Sequence, residues 1–308
     1  MTPRRAAARG LRGAAAGALL CAGLAGAGAC RAEALRLCES SATPTAAQQD
    51  KVLRLAAVVK AELAQAQGGV ALISRSCVDL ERFGFRHSHA GVALAASPNA
   101  PWSVRQLYYA CDEARPRLFD QGMAGFLLGS DAAAPAFVAV VLLPADAAAP
   151  LERTARDDAL ALQLLGAAYS ANAYPFSERY QNCNQWVAEI LAASWGASGA
   201  TRAQAQAWLR DQGYAPSVFD ASGEPLLWLG SAFVPLLHAD DHPQEDRAGR
   251  RYRVSMPASV ETLVRERVPG ARRIEFCRTE RQIVVRAGWD PIDANCAARE
   301  GDRIVALD

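Results

Sequence analysis

Apolar residues recur at helical spacing in some stretches of the chain and at strand spacing in others. Val52, Leu53, Leu55, Ala56, Val59 and Leu63 predict an amphipathic helix over 48–67, opened by Thr43-Pro-Thr45 and stopped by Gly68-Gly69. Val70 to Ser74 is a short apolar strand. His87 to Leu94 reads as a strand with His87, His89 and Gly91 on one face and Ser88, Ala90, Val92 and Leu94 on the other. After the turn Ser97-Pro-Asn-Ala-Pro101, Trp102 to Tyr109 is the next strand, with Trp102, Val104, Gln106 and Tyr108 on one face. The two strands predict an antiparallel hairpin. A short helix is expected around Leu118 to Phe126. Phe137 to Leu143 is a continuous apolar run, as a strand buried on both faces requires.

Further helices are expected over 151–168, from Cys183 to the stop at Gly196, and over 201–212. Pro225 to His238 reads as strand or helix–turn. Beyond Arg250, short strands at 252–255, 272–278, 282–286 and 303–307, with one helix near Val260, predict a small β-rich appendage over 246–308. The class is α+β, with helices packed on an antiparallel sheet.

Composition changes the picture at the N-terminus. Arg4, Arg5, Arg9 and Arg12 precede an Ala/Gly-rich apolar run, Ala14 to Ala27, too short for a stable span. The small-residue sites Ala27-Gly-Ala29 and Ala32-Glu-Ala34 follow, so residues 1–34 read as a secretory signal peptide and the main domain as 35–245. A periplasmic or secreted location is expected, with lipid anchoring at Cys30 as a second option. No membrane span is expected after the signal. A net charge of +1 over 308 residues gives no reason to expect a nucleic-acid partner. In an oxidising compartment some of Cys38, Cys77, Cys111, Cys183, Cys277 and Cys296 should pair. Cys277 and Cys296, both in the C-terminal segment, make a natural bridge; Cys38, Cys77 and Cys111 compete for what remains.

The candidate chemistry centres on Tyr180-Gln-Asn-Cys-Asn-Gln-Trp-Val. Asn182 is a good N-cap, and a thiol in the first turn of a helix feels the positive end of the dipole, which favours thiolate. The other reading makes Cys183 a small apolar residue or half of a disulfide. A nucleophilic thiol needs a base and a polar group to orient that base. His89 stands beside Ala90 and Gly91, where another backbone or a substrate can come close, and Gln106 can face it from the next strand. His87 either lines the same cleft or is a solvated strand-end residue. Tyr180 either donates to a developing oxyanion, with the Cys183 N–H as partner, or packs as a ring at the helix start. Tyr174 and Phe176 lie on the approach to Cys183 and are candidate walls of a substrate cleft. His238, Asp240, Asp241 and His242 read as a polar loop around Pro243 rather than as metal ligands. No metal or cofactor is expected.

Ser88-His-Ala-Gly-Val, followed much later by Tyr180-Gln-Asn-Cys-Asn-Gln-Trp-Val, resembles the circularly permuted branch of the NlpC-type papain-like superfamily. More closely, positions from about 38 to 243 resemble the bacterial family called domain of unknown function 2145. Its matching segments are Arg86-His-Ser-His-Ala-Gly, Tyr174-Pro-Phe, Arg179-Tyr-Gln-Asn-Cys-Asn-Gln-Trp-Val, Ala203-Gln-Ala-Gln-Ala-Trp-Leu and Asp240-Asp-His-Pro. The resemblance implies a papain-like fold with Cys183 as nucleophile, His89 as base and Gln106 in the third position. Two functions follow as expectations. One is an exported cysteine hydrolase or acyl transferase acting on an amide or ester, with peptidoglycan peptides or envelope lipid acyl groups as substrate classes. The other is a non-catalytic envelope binding or structural protein on the same fold. A Cys183 sulfur within hydrogen-bond reach of His89 marks the first; a bridge from Cys183 to another cysteine, or a blocked cleft, marks the second.

Overall fold

Capping chemistry sets the main helix boundaries. Thr45 and Gln48 form a reciprocal capping box at the start of α1 (Ala46–Leu63), and Thr201 and Gln204 do the same for α6 below. The computed structural model describes residues 44–77, 80–128, 135–196, 201–223 and 236–307. The expected signal segment 1–34, including Cys30, lies outside the described residues, as do Cys38 and residues 225–235 of the stretch 225–238.

The strands are β1 (Val70–Arg75), β2 (His89–Leu94), β3 (Ser103–Ala110), β4 (Arg115–Gln121), β5 (Ala136–Leu142), β6 (Ser217–Asp220), β7 (Arg251–Val254), β8 (Arg272–Arg278), β9 (Gln282–Ala287) and β10 (Arg303–Ala306). The remaining helices are α2 (Met123–Leu128), α3 (Ala145–Arg156), α4 (Asp158–Gln163), α5 (Cys183–Trp195), α6 (Arg202–Asp211), α7 (Gln244–Gly249) and α8 (Pro257–Arg267). Eight strands form one antiparallel sheet in the order β10-β9-β8-β5-β1-β2-β3-β4, and β6 and β7 pair separately.

Both faces of the sheet are covered. Val70, Leu72, Ala90, Val92 and Leu107 pack with Trp186, Val187 and Ile190 of α5, with α3, and with Val260 and Val264 of α8. Ala71, Ile73, Ala93, Val104 and Val140 pack on the other side with Val52, Leu55 and Val59 of α1 and Phe126 of α2. Every residue of β1, β2 and β5 is therefore buried.

Three sequence expectations change. The C-terminal strands do not form an appendage with a sheet of its own. β8 pairs with β5 from Ala136↔Arg278 to Leu142↔Arg272, and β9 and β10 continue the same sheet. The reason lies in β5, a central apolar strand that needs a hydrogen-bonded neighbour on each edge; β1 supplies one and β8 the other. The helix expected around Leu118 to Phe126 begins only at Met123, and the residues before it form β4. β4 is an edge strand carrying Pro116, where a missing N–H costs nothing on the open side. The helix expected over 151–168 is two helices, because Asp157 is extended and its carboxylate caps α4 by accepting from Leu160 N–H at 3.1 Å. The Cys277–Cys296 disulfide is present, with Cα atoms 5.6 Å apart. Cys111 is also disulfide-bonded, whereas Cys77 and Cys183 are free. Among the described residues no helix is long and apolar enough to cross a membrane.

Candidate functional site

The start of α5 is held from three directions. Asn182 is extended and its side-chain oxygen accepts from Gln185 N–H at 2.7 Å, the cap expected from the sequence. Its amide donates to the carbonyls of Ala171 and Ser255, both at 3.2 Å. Asn184 donates to the carbonyls of Ser88 and Ser255, also at 3.2 Å, which ties the helix start to the entry of β2. Cys183 is 6% exposed. The backbone N–H groups of Ala90 and Asn184 lie against its sulfur and favour thiolate, as does the charge of Arg75. Burial opposes them and wins, pushing the thiol up to about 12.

His89 and Gln106 meet as the hairpin reading expects. His89 Nε2 donates to Gln106 Oε1 at 2.5 Å, and Gln106 Nε2 donates to Gln121 Oε1 at 2.8 Å. Neutral imidazole then carries its lone pair on Nδ1. Burial holds this ring down at about 3; Arg75 lowers it further and Gln106 raises it. Gly91 does not leave an opening for substrate. A Cβ there would stand 2.5 Å from Val104 Cγ1, so the space belongs to β3.

The thiol and the imidazole are not brought together. Ala90, Val92 and Leu94 join Cys183 in the core under α5. His89 alternates with them, and its ring packs 5.9 Å from Phe126, which belongs to the opposite layer. No hydrogen bond joins the Cys183 sulfur to His89 among the described residues; the imidazole bonds to Gln106 instead. Thiol and imidazole are both neutral at pH 7, on opposite faces of the sheet.

The three aromatic candidates serve other contacts. Tyr180 stacks on His238 with ring centroids 4.4 Å apart, under the guanidinium of Arg179. Tyr174 N–H donates to Asp241 Oδ2 at 3.1 Å, and its ring lies beside Phe176, His242 and Arg253. Phe176 packs on Tyr214 and Arg210. His87, weighed as a solvated strand end, is buried instead. Its Nε2 is 3.6 Å from Glu275 and has no hydrogen-bond partner, and burial lowers its pKa. His242 Nε2 donates to the Asn172 carbonyl at 2.6 Å, so this histidine fixes the loop before α5.

Two charged features escaped the sequence reading. The first is Glu189, one and a half turns into α5 and fully buried. It accepts from Arg202 Nε at 3.0 Å, Gln181 Nε2 at 2.6 Å, Gln206 Nε2 at 2.8 Å and Gln185 Nε2 at 3.1 Å. Arg202 also donates to the carbonyls of Glu178 and Tyr180, at 2.8 and 2.9 Å. This network binds the loop preceding Cys183 to α5 and α6. A glutamate among Trp186, Val187 and Ile190 was the available signal, since a carboxylate on an apolar face needs a buried partner. The second is Arg75, the last residue of β1, directly across from His89 in the register. It is 1% exposed, and its Nε and Nη1 have no hydrogen-bond partner. A lone arginine closing an apolar strand carried no comparable signal.

No curated protein and no solved structure matches the chain. Residues 62–264, from the end of α1 into α8, match a family described as "Uncharacterized protein conserved in bacteria (DUF2145)", so β8 to β10 lie beyond the matched region. Cys183, His89, Gln106, Glu189 and Arg75 all lie inside that span, and with two thirds of its length matched the chain belongs to this bacterial family.

Proposed function

We propose that this protein is a non-catalytic binding protein of the bacterial cell envelope, on a fold related to the permuted papain-like enzymes. The observation that carries this reading is the separation of the thiol from the imidazole. Cys183 is buried on the α5 side of the sheet, and His89 is locked to Gln106 on the α1–α2 side. A cysteine nucleophile works as thiolate or with a base at hydrogen-bond distance. Here burial raises the thiol to about 12 and lowers the imidazole to about 3. Envelope placement rests on the signal-like segment at residues 1–34.

One observation favours the second reading, a cysteine hydrolase or acyl transferase acting on a peptidoglycan amide or a lipid ester. The Gln106 bond leaves the lone pair on Nδ1 of His89, as a general base requires. Labelling the full chain with iodoacetamide between pH 6 and pH 10 separates the two readings. The binding reading expects half-buried Cys77 to react before Cys183, with Cys183 equally slow in wild type and His89→Ala. Fast Cys183 labelling at neutral pH, slowed tenfold or more by His89→Ala, would establish the dyad and overturn the binding reading.

A further inference from the structure

Taking a charged side chain out of water costs several kcal/mol, so buried guanidinium groups are normally found against carboxylates. This chain follows that rule at Arg202 with Glu189, at Arg273 with Glu261 and Glu275, and at Arg286 with Asp302. Arg278 has Glu280 in electrostatic reach. Arg75 departs from it: two of its three guanidinium nitrogens have no partner, and it forms no salt bridge among the described residues.

Its neighbours among the described residues, Phe126, Tyr108 and His89, are uncharged at neutral pH. The Phe126 ring lies 5.0 Å from the guanidinium carbon, the Tyr108 hydroxyl lies close enough for the guanidinium to act on its ionisation, and His89 faces it across the β1–β2 pairing. The His89 and Tyr108 rings are 5.6 Å apart. The cluster therefore carries one net positive charge, unpaired guanidinium donors, a phenol and flat aromatic walls. It lies just under the surface. Tyr108 is half-buried, as are Cys77, two residues beyond Arg75, and Ser88, whose N–H donates to the Arg75 carbonyl at 3.0 Å.

We propose that Arg75, with Tyr108 and His89, is the recognition point for a ligand bearing a single carboxylate, taken up at the shared end of β1, β2 and β3. One guanidinium neutralises one carboxylate, and its planar donors match carboxylate geometry. A phosphate dianion would leave an uncompensated charge in a site that excludes water. This inference deepens the binding reading and rests on it.

The test titrates the full chain with N-acetylalanine, its carboxamide, acetate and inorganic phosphate, following thermal melting and calorimetric heat. N-acetylalanine and acetate should raise the melting temperature with a saturable dependence, while the carboxamide should not. Phosphate should bind at least tenfold more weakly than N-acetylalanine. Arg75→Gln should abolish the carboxylate effect, and Arg75→Lys should retain part of it. Equal effects of acid and amide, a response unchanged in Arg75→Gln, phosphate binding as tight as carboxylate, or no saturable response to either carboxylate would each overturn the proposal. So would a strongly lowered melting temperature of Arg75→Met without ligand, which would mean that a carboxylate of the chain itself already neutralises Arg75. The iodoacetamide experiment reads a different residue. Fast, His89-dependent labelling of Cys183 removes the binding reading, whereas slow labelling with no carboxylate response removes only this inference.

Discussion

Arg202 and Arg75 are both buried guanidinium groups in the half of the molecule around Cys183, and they are treated in opposite ways. Arg202 sits in a network that leaves neither oxygen of Glu189 without donors and reaches three backbone carbonyls of the loop before α5. Arg75 rests on an aromatic ring, a phenol and a neutral imidazole. The first arrangement specifies structure, because each member loses its partners if another is removed. The second leaves binding capacity unused, because nothing in the described chain balances the charge. A buried ion pair therefore marks where this fold is held, and the unpaired cation marks where a ligand can act.

The largest effect should come from breaking the satisfied side. Glu189→Ala leaves Arg202 buried without its counter-ion and should cost ~3–5 kcal/mol, measured by urea unfolding of the full chain. Replacing both partners, Glu189→Leu with Arg202→Met, should recover much of that loss, since no charge then remains to be compensated. A cost below about 1 kcal/mol for Glu189→Ala would break the comparison, because ordinary surface pairs reach that value.

Acid should act on the other side. The unfolded chain protonates His89 near 6.5, the folded chain only at about 3. Unfolding therefore takes up a proton between those values, and stability falls as pH drops from about 6.5 towards about 3, by ~1.4 kcal/mol per pH unit. His87, also lowered by burial, adds to the loss with the same sign. His89→Gln should flatten this acid limb and leave stability above pH 7 little changed. A limb of unchanged slope in His89→Gln would show that the His89 ring is not buried as described.

The smallest effect should be that of Arg75→Met in the absence of ligand. An apolar side chain of similar reach removes an unpaired charge and keeps contact with Phe126, so stability should stay within about 1 kcal/mol of wild type or rise. Set beside Glu189→Ala, this pair of numbers measures the difference between the two arginines directly.

Several parts of the fold were readable because their causes are local. Asn182, Cys183 and Gly196 bound α5, and Thr201 with Gln204 bounds α6, through caps that depend on neighbouring residues alone. The β2–β3 hairpin and its alternation placed Gln106 against His89 correctly. The C-terminal strands were recognised one by one, but their attachment to β5 was not, since pairing between residues far apart leaves no periodic trace in either strand. Asp157 was passed over because Leu151 to Leu164 keeps an apolar rhythm across the break between α3 and α4.

The candidate site divides along the same line. By itself the sequence determined that Cys183 opens a capped helix, that His89 and Ala90 point to opposite faces of β2, and that Gln106 stands on a face of β3 from which it can meet His89. Which of those faces α5 covers was decided only by the tertiary structure. Strand alternation defines two faces, and burial tells them apart only when one is wet; here both layers are packed and all six residues of β2 are buried. The same packing left Arg75 without a counter-ion among the described residues, because a charge is paired or unpaired according to what distant segments bring to it, and Arg75 is met by β2, β3 and α2.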